Sequence, residues 1–143
     1  MKKLLFSMSP LSTAGSLSAL VLRLVFGIFM LAGHGWGKMV GFADRMDVFP
    51  DPLGVGSAVS LGLAVFAEVI CAFLISIGLL TRAALIPLII TMVVAAFMVH
   101  GGDPLFMSGA ERSKEPALLF LGAYVALFLS GPGKYSLDAM LRK

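Results

Sequence analysis

Residues 55–80 read VGSAVSLGLAVFAEVICAFLISIGLL, and in that stretch Glu68 is the sole charged side chain. The run exceeds the ~20 apolar residues a helix needs to cross hydrocarbon and is far longer than a barrel strand of about 10 residues. Only a helix satisfies its own backbone in lipid, so the stretch predicts a membrane helix with a carboxyl group inside it. Working outward, apolar runs at residues 17–36, 83–100 and 117–130 predict three more. The expected fold class is all-α, a transmembrane four-helix bundle in which residues 1–143 form a single membrane domain.

Composition agrees with this reading and excludes other classes. Hydrophobic residues make up 59% of the chain and charged residues 13%, against roughly 25% charged in soluble domains; the mean hydropathy is +0.99. A net charge of +3 with no basic run of four or more gives a nucleic-acid partner no support. Cys71 is the single cysteine, so one chain forms neither a disulfide nor a CxxC redox pair. Lys2 and Lys3 before Leu4, Leu5 and Phe6 imitate a secretory signal, but Ser7, Ser9 and Pro10 break the run below the ~7 residues of a signal core. A retained cytoplasmic leader is the expectation.

Turn-forming residues mark the breaks between helices. Pro50, Pro52 and Gly54 precede the second run, Gly101, Gly102 and Pro104 follow the third, and Gly131, Pro132 and Gly133 end the fourth. Pro116 suits a first helical turn, where its missing N–H is no loss. Lys2, Lys3, Arg82, Lys134, Arg142 and Lys143 fall on one side, against Lys38, Arg45, Arg112 and Lys114 on the other. The positive-inside rule then predicts both termini in the cytoplasm. Phe29-Met30 before His34-Gly35, and Phe97-Met98 before His100-Gly101, form a faint internal echo with unequal spacing.

An ionisable group inside a membrane helix is a functional-site candidate by default. At 3.6 residues per turn Arg23, Gly27, Met30, His34 and Lys38 share one arc of the first helix, with Trp36 opposite. Glu68 shares a face with Gly54, Ser57, Ala64 and Ala72, and Glu115 with Gly122, Ala126 and Gly133; small residues of this kind let helices approach closely. Depth along the helices predicts an Arg23–Glu68 pair in the inner half of the bilayer, structural or proton-coupling. It also predicts a ligand-binding cluster of His34, Lys38, His100 and Glu115 near the outer boundary. The alternative for that cluster is a set of snorkelling and capping groups at helix ends. Two histidines on different helices are the residue type for axial haem ligation, and with Glu115 for a divalent metal, but nothing else in the sequence supports either, so no metal is assigned.

Taken together, Arg23 through Gly27, Gly33-His34-Gly35-Trp36-Gly37-Lys38, Glu68 ahead of Gly78-Leu79-Leu80-Thr81-Arg82, His100, and Gly131-Pro132-Gly133-Lys134-Tyr135-Ser136-Leu137-Asp138 resemble the DoxX family of small bacterial membrane proteins. The resemblance covers about residues 20–141. It implies a multi-pass four-helix bundle in the bacterial inner membrane. It also implies a connection to membrane oxidoreductases, since some members are associated with the small subunit of a thiosulfate:quinone oxidoreductase and others with complexes for redox stress. No catalytic residue comes with it.

The leading expectation is a redox-associated subunit that binds a quinone-like amphiphile, its head group near His34, Lys38, His100 and Glu115. Partner oxidoreductase subunits or a homo-oligomer would accompany it in the lipid bilayer. Two alternatives stand beside it: a non-enzymatic protein that assembles or retains membrane partners, and a small-solute or proton transporter with Glu68 as coupling group.

Overall fold

The computed structural model describes residues 12–141, and every regular element in that range is helical. The leader reading and the charges of Lys2, Lys3, Arg142 and Lys143 lie outside the described residues. Three long apolar helices dominate: α1 (Thr13–Val40), α3 (Ser57–Ile77) and α4 (Thr81–Val99). A shorter apolar helix, α5 (Glu115–Ser130), follows. Two single turns, α2 (Phe42–Arg45) and α6 (Leu137–Met140), complete the order.

α1 runs past its predicted bounds at both ends. Ser12 caps it by accepting from the Gly15 amide, and the glycine-rich stretch from Gly33 to Gly37 stays helical, absorbed into a π-helical turn at Leu31–Gly35. At 1.5 Å per residue α1 measures ~42 Å, longer than the ~30 Å hydrocarbon core, whereas α5 measures ~24 Å. α3 stops at Ile77 because Gly78 takes a left-handed conformation with φ 73°. Pro116 falls in the first turn of α5 as expected.

Each long helix packs on two neighbours: α1 on α3 and α5, α4 on α5 and α3. The shared core contains Met30, Leu61, Ile75, Leu85, Leu88 and Leu127, with Tyr124 fully buried among them. Its hydroxyl donates to the Phe26 carbonyl at 3.2 Å, which meets the polar need that burial creates. The inward face of α5 is therefore Ala117, Tyr124 and Leu127. The predicted small-residue face is not the packed one, since Gly122 and Ala126 are exposed.

The register of α1 against α3 overturns the Arg23–Glu68 pair. A Cβ on Gly35 would lie 2.5 Å from the Glu68 carbonyl oxygen, and one on Gly27 would strike the Ser76 hydroxyl, so these residues face each other across the contact. Arg23 is thus ~18 Å further along α1 than the level of Glu68. It is 1% exposed and donates to the carbonyls of Ser76, at 3.4 Å, and Tyr135, at 2.5 Å. Counting from the ends of the apolar runs sets Glu68 level with Arg23, but α1 continues to Val40 and the close contact at Gly35 shifts the register further.

The segment after α5 works as a strap across this same end. The Lys134 amide donates to Ser16 Oγ at 3.3 Å and its ammonium to Thr13 Oγ1 at 2.9 Å. Asp138 accepts from the Leu80 amide at 2.8 Å and the Thr81 amide at 2.9 Å, which caps α4 just where Leu80 takes a positive φ of 49°. Arg82 donates to the carbonyls of Phe128 and Leu129 at the end of α5. The tail motif is therefore a tie between helix ends. Asp138→Ala removes both acceptors and is expected to cost ~1–2 kcal/mol, the usual range for a lost N-cap. Asp138→Asn keeps one acceptor and should cost less, which comparison of denaturation midpoints in detergent would show.

At the other end Asp51 caps the start of α3, accepting from the Ser60 hydroxyl at 2.7 Å and the Gly56 and Val55 amides at 2.7 and 3.0 Å. These bonds, the Ser60 hydroxyl first, hold its carboxyl below the ordinary carboxylate value. A depressed folded-state value stabilises fully above the unfolded value and is lost as pH falls through the folded one. The wild type should therefore lose stability on acidification below about pH 4, the ordinary Asp range. Asp51→Asn should remove that part of the acid limb, as read by melting temperature against pH.

Candidate functional site

Three π-helical turns converge on one region: Leu31–Gly35 in α1, Phe66–Cys71 in α3 and Ala95–Val99 in α4. Such turns insert an extra residue into the helical ladder and recur at functional sites. Here they carry His34 and Glu68 and immediately precede His100.

Glu68 is 5% exposed, and its Oε2 lies 2.5 Å from the Lys38 ammonium, which also approaches the His34 carbonyl at 3.4 Å. The partner of Glu68 is thus Lys38, from the outer set of the sequence analysis. His100 Nδ1 lies 2.7 Å from Asp103 Oδ2. The His34 ring meets Phe120 edge to face, with centroids 5.4 Å apart.

These groups border a chamber of about 250 Å³, lined by His34, Lys38 and Glu68 from the helices, by His100 just past the end of α4, and by Arg112 and Ser113 from the loop before α5. Ser113 is 5% exposed, yet its hydroxyl has no hydrogen-bond partner. Beside the chamber lies a larger cleft of about 520 Å³, walled by Leu63 and Phe66 of α3 and Pro87, Ile90 and Val94 of α4. It exists because residues 57–65 lean toward Trp36–Val40 and α2, leaving the facing part of α4 uncovered. Lys38, Glu68, His100 and Arg112 border both spaces.

Of the predicted residues, His34, Lys38 and His100 come together, and Glu68 joins them. Glu115 does not line the chamber; its carboxylate accepts from the Met107 amide at 3.0 Å and so holds the loop that closes it. Arg23 belongs to the strap at the opposite end. Asp103, Arg112 and Ser113 were missed. Asp103, three residues after His100 at a helix end, was legible from spacing, whereas Ser113 has no sequence signal because its position depends on the loop.

A helical chain with several membrane-length apolar helices and a charged chamber between them defines an integral, multi-pass membrane protein. The DoxX family profile matches residues 18–101, and the chain belongs to the DoxX family. It is similar to the uncharacterized membrane protein Rv3486 of Mycobacterium tuberculosis, 32% identical over 93% of this chain and 86% of that protein. It is also similar to an uncharacterized protein of Haemophilus influenzae, 29% identical over 88% of this chain and 84% of that one. The inner membrane protein YqjF of Escherichia coli is 28% identical over 87% and 92% respectively. No solved structure matches. The protein is located in the bacterial inner membrane, in contact with lipid.

Proposed function

We propose that this protein binds a membrane-dissolved, quinone-like amphiphile, its tail in the apolar cleft and its head in the polar chamber, and serves as a redox-associated subunit of a membrane oxidoreductase system. The observation that carries the reading is the meeting of the two spaces at Lys38, Glu68, His100 and Arg112. An amphiphile needs an apolar wall beside a few convergent polar groups. The buried, unpartnered Ser113 hydroxyl is the further sign of a missing polar partner. In this reading the chain is one membrane domain that crosses the bilayer four times, with both termini cytoplasmic and the chamber toward the outer side. By sequence, Lys2, Lys3, Arg82, Lys134, Arg142 and Lys143 outnumber Lys38, Arg45, Arg112 and Lys114, which supports that orientation.

The test is to purify the protein in mild detergent and analyse solvent-extractable molecules by mass spectrometry. A stoichiometric quinone-like lipid is the expected result, with affinity weakened in His34 and His100 variants. Ordinary phospholipids alone, or unchanged affinity in both variants, would sink the reading.

One observation favours a second reading, assembly with another membrane helix. Gly33 and Gly37, four residues apart on α1, are exposed, and a Cβ on either would meet nothing within 4 Å. That spacing suits close helix approach. Crosslinked partners without an extractable ligand would favour it.

A further inference from the structure

We infer that the chamber reads a hydroxyl group on its ligand through Nε2 of His100, so that the preferred head group is a hydrogen-bond donor such as the reduced, hydroxyl-bearing form of a quinone. This rests on the amphiphile reading above. His100 Nδ1 faces Asp103 Oδ2 at 2.7 Å. A carboxylate only accepts, so Nδ1 carries a proton, and in the neutral ring Nε2 is then the acceptor. Among the described residues His100 makes no other side-chain hydrogen bond. His100 borders both the cleft and the chamber, so a head group passing from one to the other meets this residue.

Charge balance narrows the class further. Lys38 is faced by Glu68 at 2.5 Å, and Arg112 shares the chamber wall with Glu111. The two cations are matched by two carboxylates, so an anionic head group gains no net attraction there. A neutral head with a hydroxyl finds the acceptor on His100, beside Ser113 in the chamber wall. A carbonyl in place of that hydroxyl would set acceptor against acceptor at Nε2, leaving one buried hydrogen bond unmade.

Binding of a short-tailed benzoquinone and of its hydroquinone to the detergent-solubilised full chain, measured anaerobically by calorimetry, tests this. The hydroquinone is expected to bind about 10-fold more tightly, the effect of one net hydrogen bond, and His100→Phe should bring the two affinities within about twofold. Nitrogen NMR of histidine-labelled wild type, which carries two histidines per chain, should show Nε2 of His100 without a proton and shifted by the hydroquinone. Equal affinities, a preference for the quinone, a preference that survives His100→Phe, or a protonated Nε2 would each overturn the inference while leaving the amphiphile reading intact. Binding of neither probe would overturn both.

Discussion

Lys38→Met is expected to destabilise the protein by roughly 3–5 kcal/mol, because it strands a carboxylate in the interior. Glu68 sits within a π-helical turn of α3, 5% exposed, and the Lys38 ammonium is its ion-pair partner. Breaking one side of a buried pair costs far more than the pair itself contributes, since the remaining charge keeps its desolvation penalty and loses its compensation. The double variant Lys38→Met/Glu68→Met should accordingly recover most of the loss, as both charges are gone and unbranched apolar side chains fill similar volumes. A double-mutant cycle of unfolding free energies in mixed micelles reads this directly. If Lys38→Met unfolds like the wild type, the pair does not form in the membrane protein.

Gly35→Ala should also destabilise, although it adds one methyl group. A Cβ at this position would lie 2.5 Å from the Glu68 carbonyl oxygen, 2.7 Å from its carbonyl carbon and 2.8 Å from a Val69 methyl. Two of these neighbours are backbone within a packed helix and have no rotamer through which to yield. The helices must separate instead, at the ~1–3 kcal/mol typical of overpacking, and the separation also lengthens the Lys38–Glu68 contact beside it. Gly37→Ala provides the control two residues away, where nothing lies within 4 Å. It should be neutral or stabilise by up to ~1 kcal/mol through helix propensity. Equal midpoints for the two variants would refute the close α1–α3 contact at Gly35.

How the candidate site could be anticipated differs residue by residue. His34, Lys38 and His100 were legible because polar groups at the ends of apolar runs stand out against their surroundings, and helical periodicity placed His34 and Lys38 on one arc. Glu68 was legible as a site residue and misassigned in its partner. Its neighbour is set by the offset between α1 and α3, and that offset depends on glycine contacts and on the length of the intervening loop, neither of which a single helix encodes. Glu115 was singled out for the right reason, its carboxylate at the end of an apolar helix, yet it bonds the Met107 amide rather than facing the chamber. The tail motif at residues 131–138 lies outside the stretch that the family profile matches and serves as a strap, with Asp138 capping α4 across the fold.

By itself the sequence determined that this is a helical membrane protein, since apolar runs of this length have no other way to satisfy their backbone in lipid. It also determined that a few ionisable groups inside those runs would need partners. Only the tertiary structure decided which partners they have. Ion pairs, cavities and π-helical turns arise where helices are brought into register, and register is fixed by close glycine contacts and packed side chains distributed over the whole fold. Lys38 therefore meets Glu68, Arg23 turns to the strap, and the cleft opens where residues 57–65 lean away from α4.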